Sequence, residues 1–155
     1  MNAYKNYFIS AILLAPALIW LLILPTKIHG IHRITADSAV VVVNNFPASD
    51  AERIQWWRKH QLMLQQKSGI PATTGDYTWF IYESDYTSDF TADNHNELLC
   101  FSDMKNQSNC IRKDHPVLRV RSANSGCVVF TMDYNRIDSR EYRQPAGSNE
   151  LYQVY

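Results

Sequence analysis

The chain has 155 residues, enough for one domain with a short attached segment. Its 15 Lys and Arg residues balance its 15 Asp and Glu residues. Nucleic-acid-binding domains normally carry a clear basic excess, so the composition argues against nucleic acid as a partner. High aromatic content with only five glycines excludes a disordered or low-complexity chain.

The amino-terminal segment contains an uncharged apolar run, "FISAILLAPALIWLLIL", from Phe8 to Leu24. Its length is close to the roughly 20 residues that cross a bilayer. A cleaved signal peptide, the main alternative, needs a small-x-small site soon after the run, and "LPTKIHGIHRI" has none. We therefore predict a tail over residues 1–7, a transmembrane anchor over residues 8–25 and an extracytoplasmic domain over residues 26–155.

The cysteines indicate on which side of the membrane the domain lies. Cys100 and Cys110 bracket the short polar loop "CFSDMKNQSNC", and we expect them to form a disulfide. Disulfides persist in the periplasm and are rare in the cytosol. The sequence therefore predicts a single-pass protein of the bacterial inner membrane with its carboxy-terminal domain in the periplasm. Cys127, in an apolar strand-like run, is expected to be a small buried hydrophobe.

The main helix is marked by local signals at both ends. Ser49 and Glu52 form an S-x-x-E capping box. Gly69 is placed to end the helix in the left-handed conformation, and Pro71 prevents its continuation. We predict a helix over residues 50–67.

This helix carries two adjacent tryptophans. Ile54, Trp57 and Leu64 recur at helical spacing, and we assign them to the core. Neighbouring helical residues point about 100° apart, so Trp56 lies at the edge of that stripe, with the basic side chains expected in water. Trp56 either completes the core edge or faces a partner; the candidate binding residues are Trp56, Arg53, Lys59 and His60.

The remaining elements are predicted to be strands, because they are rich in β-branched and aromatic residues or alternate in polarity. The predicted strands cover residues 38–46, 76–83, 97–101, 116–122 and 127–134, with a further one possible over residues 150–155. "KIHGIHRI" is interpreted as a juxtamembrane link running into a first strand. This order predicts an α+β domain, with one main helix packed on a mostly antiparallel sheet.

No catalytic or cofactor motif stands out. The acidic segment from Asp85 to Glu97 lacks the ligand spacing and central Gly of an EF-hand. The cysteines and histidines have no zinc-site spacing, and no nucleophile motif is present. We expect no catalytic residue, metal or cofactor. An envelope hydrolase using the acids of residues 85–97 is the alternative.

Three motifs carry a family resemblance: Asn45-Phe46-Pro47, Trp56-Trp57, and the segment from Cys100 to Cys110. Together with the apolar segment, they resemble a family of enterobacterial inner-membrane proteins of unknown function. The resemblance implies a single anchor with a small extracytoplasmic domain, and it supplies no catalytic residues.

The sequence leads to the hypothesis of a membrane-anchored periplasmic module that binds another protein. Its concrete form is an immunity-type protein that neutralises an envelope-acting toxin. The expected partners are the lipid bilayer, through the amino-terminal helix, and a protein, with no nucleic acid. A structural or assembly factor of the inner membrane is a further alternative.

Overall fold

The computed structural model describes residues 24–71, 75–88, 97–123, 126–133 and 138–154. Within them, a single helix packs against a mostly antiparallel sheet, so the domain is α+β as predicted. The elements are β1 (Lys27–Arg33), β2 (Ser38–Asn44), α1 (Asp50–Ser68), β3 (Thr78–Glu83), β4 (Leu98–Cys100), β5 (Cys110–Arg112), β6 (Leu118–Ala123), β7 (Cys127–Asp133), β8 (Ser139–Gln144) and β9 (Tyr152–Gln153).

The described strands form a seven-stranded sheet in the order β1-β2-β3-β6-β7-β8-β9 and a two-stranded hairpin, β4-β5. β2 and β3 are parallel, and the other neighbouring pairs are antiparallel. A parallel pair needs a crossover connection, and α1 lies in that connection between β2 and β3. This topology brings the ends of β1, β2 and β3 near Lys27, Asn44 and Glu83 to the same end of the sheet.

Both ends of α1 follow the predicted capping. The Ser49 hydroxyl accepts a hydrogen bond from the Glu52 amide at 3.4 Å and donates to the Glu52 carboxylate at 2.6 Å. Gly69 is left-handed, with φ 70°, and its N–H donates to the Gln65 carbonyl at 2.8 Å. The helix ends at Ser68, one residue beyond the prediction.

The core lies between α1 and one face of the sheet. Ile54, Trp57 and Leu64 are all buried there. Trp57 packs edge-on against Trp79 of β3, with ring centroids 5.5 Å apart. The helix stripe assigned from spacing is therefore the stripe that contacts the sheet.

A second, smaller core lies on the opposite face of the sheet. Val40 and Val42 of β2 point to this side, where Phe101 and Ile111 of the β4-β5 region cover them. Val41 and Val43 belong to the core beneath α1. β2 is thus covered on both faces, as expected for a dense run of valines.

The β4-β5 hairpin is closed by the predicted disulfide. Cys100 and Cys110 are directly paired in the hairpin register, and their sulfurs are bonded. Cys127 is a free cysteine and is half-buried, so it is less enclosed than predicted.

Three elements differ from the sequence-based prediction. β5 was not predicted, because Cys110–Arg112 is a strand of only three residues next to the polar cysteine loop. β8 was not predicted, because "SREYRQ" is polar and has few strand-favouring residues. Instead of a strand over residues 150–155, β9 covers Tyr152–Gln153 and pairs with two residues of β8.

The predicted tail and all but the last residues of the predicted anchor lie outside the described residues. In the described part of the chain, no helix is both long and apolar enough to span a membrane.

Candidate functional site

The first candidate site is the tryptophan-bearing part of α1. Trp56 retains only 7% of its accessible surface. Its ring packs edge-on against Phe46 at 5.1 Å and stacks on His60 at 4.6 Å between centroids. Its indole Nε1 is buried and has no hydrogen-bond partner within the described residues. Trp56 therefore belongs to the edge of the core and offers little exposed surface to a partner.

The expectation that the basic residues of α1 lie in water is wrong for Arg53. It is only 8% exposed, and its guanidinium donates to the Pro47 carbonyl at 2.7 Å and the Val117 carbonyl at 3.1 Å. It also lies 5.8 Å from the Phe46 ring centroid. The long side chain thus joins α1 to the segment before it and to the start of β6. Helical periodicity does not reveal that Arg53 is buried. An arginine side chain can be buried when its N–H groups donate hydrogen bonds to carbonyl oxygens.

The other two predicted binding residues remain nearer the surface. Lys59 is exposed, and His60 is half-buried with its Nδ1 2.7 Å from the Trp56 carbonyl. The four residues are close along α1 but present little shared exposed surface. Their role in binding a partner stays a prediction.

A second cluster, which the sequence did not indicate, joins β1 to the disulfide hairpin. His32 of β1 is only 4% exposed. Its Nδ1 lies 2.9 Å from the Asp103 carboxylate, and its Nε2 lies 2.5 Å from the Tyr86 hydroxyl. Phe101 stacks on the imidazole, with centroids 3.8 Å apart and planes inclined by 13°. We call Asp103, His32, Tyr86 and Phe101 the histidine clasp.

The hydrogen bonds of the clasp engage both ring nitrogens of His32. A carboxylate only accepts, so Nδ1–H donates to Asp103, while Nε2 is hydrogen-bonded to the Tyr86 hydroxyl, which can either donate or accept. Burial, and then the nearby Asp103 charge, raises the pKa of Tyr86 to about 12. A carboxylate–imidazole–hydroxyl chain resembles a nucleophile relay. However, a raised pKa disfavours the phenolate and the enclosed ring gives little access, so the clasp is suited to fastening the hairpin.

Gly30 is what permits this close packing on β1. A Cβ at this position would fall well inside contact distance of the Tyr86 hydroxyl and 2.6 Å from His32 Nε2. The glycine therefore leaves the space that the Tyr86 hydroxyl needs to reach His32. Sequence inspection could have noted Gly30 as a glycine inside a strand, which often marks such a close approach.

A third cluster occupies the sheet face opposite α1, across β6, β7 and β8. Leu118 and Val120 of β6 point into the core beneath α1, so the alternating residues Arg119 and Arg121 point to the other side. The register places Arg121 opposite Val129, which in turn lies opposite Arg143 of β8. We call Arg119, Arg121, Arg143, Asp133 and Glu141 the arginine face.

The arginines of this face are more exposed than their acidic partners. Arg119, Arg121 and Arg143 side chains are 39%, 42% and 51% exposed, against 14% for Asp133 and 20% for Glu141. Glu141 lies 2.9 Å from Arg143 and 3.8 Å from Arg121, and Asp133 lies 3.4 Å from Arg119. The guanidinium of Arg119 also lies 5.6 Å from the Phe80 ring centroid. The carboxylates are the less exposed partners, so the more exposed charges of this face are positive.

A fourth feature is a polar cleft at the end of the sheet where β1 begins. It is lined by Lys27, His29, residues 44–45 and residues 83–85. The Asn44 amide donates to the Asp85 carboxylate at 2.9 Å, and the Phe46 N–H donates to Glu83 at 2.9 Å. Two carboxylates are thus held in place beside a lysine and a histidine. We call this the amino-terminal cleft.

The acidic segment considered for metal binding or hydrolysis is described only at its ends. Asp85 belongs to the amino-terminal cleft, and Glu97 is exposed beside β4. Asp89, Asp93 and His95 lie outside the described residues. Among the residues described, no group of three or more His, Cys, Asp or Glu side chains is placed to hold a metal ion.

The architecture defines a small α+β domain with a helix on one face of its sheet and a disulfide-closed hairpin on the other. The chain belongs to the family described as "Enterobacterial putative membrane protein (DUF943)", whose profile matches residues 2–154. The family resemblance is therefore confirmed. No curated protein and no solved structure shows a significant match to the chain.

Proposed function

We propose that this chain is a single-pass inner-membrane protein whose periplasmic domain binds another protein through the arginine face. The anchor is the apolar run of residues 8–25, and the family's description as membrane proteins supports it. The disulfide between Cys100 and Cys110 supports an oxidising location for the domain. The concrete form of the proposal is an immunity-type protein that neutralises an envelope-acting toxin.

The observation that carries the binding role is the exposure of three arginines beside two less exposed carboxylates on one face of β6, β7 and β8. Arginine is enriched at binding hot spots, because its planar fork forms paired hydrogen bonds with carboxylates. A partner surface rich in Asp and Glu would meet donors already oriented by Asp133 and Glu141. Regular strands hold these side chains, so little ordering is needed on binding.

Charge complementarity also fits the task of capturing a toxin quickly. An exposed positive patch raises the rate of encounter with an acidic partner, and this effect weakens with salt. The balanced total charge of the chain does not oppose this, because the positive charge is local to one face.

The experiment is co-expression of the chain with toxins encoded beside its gene, scored by cell survival and by affinity of the purified pair. We expect one toxin to be neutralised by the wild-type chain. R121E/R143E should lose protection and weaken the complex at least about tenfold, which corresponds to about 1.4 kcal/mol.

R112E is the matched control, because Arg112 is an exposed arginine on the disulfide hairpin rather than on the arginine face. Loss of protection with R112E alone would place binding elsewhere. Absence of both protection and complex with every neighbouring toxin would refute the immunity role.

A further inference from the structure

The amino-terminal cleft lies where the domain must meet the membrane if the proposed anchor is correct. The predicted anchor ends at residue 25, and β1 begins at Lys27. Two residues of extended chain span at most about 7 Å. The Thr26 hydroxyl donates to the Asn45 carbonyl at 2.8 Å, which fastens this short connection to the end of β2. An anchor over residues 8–25 would therefore hold the cleft at headgroup level.

The charges in the cleft are of both signs. Lys27 supplies an ammonium and exposed His29 supplies ring nitrogens, whereas Glu83 and Asp85 supply carboxylates. The bonds from Phe46 N–H and Asn44 each engage one oxygen of their carboxylate. A carboxylate has two oxygens and about four acceptor positions, so both groups keep acceptor capacity. The cleft therefore offers hydrogen-bond acceptors to a cationic group and hydrogen-bond donors to an anionic group.

We propose that the amino-terminal cleft binds the phosphoethanolamine headgroup of a membrane lipid. Lys27 and His29 contact the phosphate, and Glu83 and Asp85 accept hydrogen bonds from the primary ammonium. This inference rests on the anchor of the proposed function and adds a lipid partner to it.

Other headgroups match this set of side chains less well. An anionic headgroup without an amine would bring its phosphate close to the two carboxylates and would offer them no ammonium of its own. A choline headgroup carries a quaternary ammonium, which has no N–H to donate to Glu83 or Asp85. A primary ammonium beside a phosphate satisfies all four side chains.

The test uses the full-length chain in nanodiscs of phosphatidylethanolamine with phosphatidylglycerol, compared with phosphatidylcholine with the same share of phosphatidylglycerol. Both discs carry the same net charge. They differ in the headgroup nitrogen, which is a primary ammonium in one disc and a quaternary ammonium in the other. Hydrogen exchange of the amides in residues 26–29, 44–46 and 83–86 reports occupancy of the cleft. We expect slower exchange in the ethanolamine discs by about tenfold, the size of one charge-assisted hydrogen-bond contribution.

E83Q/D85N should abolish the difference between the two discs, because neutral amides no longer attract the ammonium. D76N/E97Q removes two exposed carboxylates outside the cleft and should keep the difference. Equal exchange of the wild-type chain in both discs, or a difference unaffected by E83Q/D85N, would overturn the proposal.

A parallel measurement separates this inference from the proposed function. Labelling of single cysteines placed at residues 2 and 149 from each side of the membrane reports whether the chain spans it. A chain that does not span would refute the anchor and the lipid site together. A spanning chain with no preference for ethanolamine would refute the lipid site alone.

Discussion

Gly30→Ala gives the sharpest test of the histidine clasp. It is expected to lower the free energy of unfolding, whereas a glycine-to-alanine change inside a strand usually raises it. Replacing a glycine inside a strand by alanine normally stabilises a protein by about 0.5–1 kcal/mol. At Gly30 the new Cβ would displace the Tyr86 hydroxyl from His32. A buried polar group left without its hydrogen-bond partner costs about 1–3 kcal/mol. The net expectation is a loss of roughly 0–2.5 kcal/mol in the free energy of unfolding in place of the usual gain.

The measurement is guanidinium unfolding of the full-length chain in detergent micelles, followed by tryptophan fluorescence. Tyr86→Phe removes the same hydrogen bond by another route and should cost about 1–3 kcal/mol. Since G30A already breaks that bond, the double variant G30A/Y86F should lose less than the sum of the two single variants, by about 1 kcal/mol.

Tyr82→Phe is the matched control. Tyr82 is half-buried in the same small core, and its hydroxyl has no hydrogen-bond partner among the described residues. Its removal should change the free energy of unfolding by less than about 0.5 kcal/mol. A G30A variant that is stabilised by the ordinary amount of about 0.5–1 kcal/mol, or losses that simply add, would show that Tyr86 and His32 are not coupled.

Three further predictions concern the core, the disulfide and high pH. Trp57→Ala should destabilise the domain by about 3–5 kcal/mol because Trp57 is fully buried, and Trp56→Ala should cost less; equal losses in denaturant unfolding would contradict the assignment of the helix face. Cys100 and Cys110 should resist a thiol reagent in unreduced protein and react after reduction, and ready labelling of both beforehand would refute an oxidising location. The pKa of Tyr86, about 12 in the folded chain against 10.0 ordinarily, means that the folded state holds this proton more tightly. The free energy of unfolding should therefore fall as pH rises from 10 to 12, and the fall should be smaller in Y86F.

The parts of the fold that the sequence predicts well depend on short-range signals. The S-x-x-E box at Ser49 and the glycine at position 69 act within one helical turn, so α1 was predicted to within one residue at its end. The four valines of β2 similarly indicate a strand covered on both faces. The disulfide follows from two cysteines bracketing a short polar loop.

The parts that could not be predicted depend on contacts between distant segments. His32 meets Asp103 across 71 positions and Tyr86 across 54, and no local pattern links them. Arg53 looks like a solvent-facing basic residue until the Val117 carbonyl, 64 positions away, receives its guanidinium. The strand β8 is polar, and it forms because β7 offers an unpaired edge and Asp50 accepts from the Tyr142 hydroxyl at 2.7 Å.

The same long-range pairing limits what the sequence says about function. Arg119 and Arg121 are visible as alternating basic residues in one strand, but their meeting with Arg143 depends on the register through β7. The amino-terminal cleft likewise requires the parallel alignment of β2 with β3, which brings Glu83 beside Val43 at the end of the sheet.

The placement of β1 has a mechanical consequence. β1 is the first strand after the predicted anchor and lies at the edge of the sheet, paired with β2 from Lys27 opposite Asn44 to Arg33 opposite Ala39. A pull directed through Thr26 along the strand would load this ladder in shear, so its hydrogen bonds would share the force rather than break one after another. The bonds from His32 to Tyr86 and Asp103 would add resistance at the far end of the strand. A domain held by a partner could therefore be drawn against its membrane tether without the first strand peeling away.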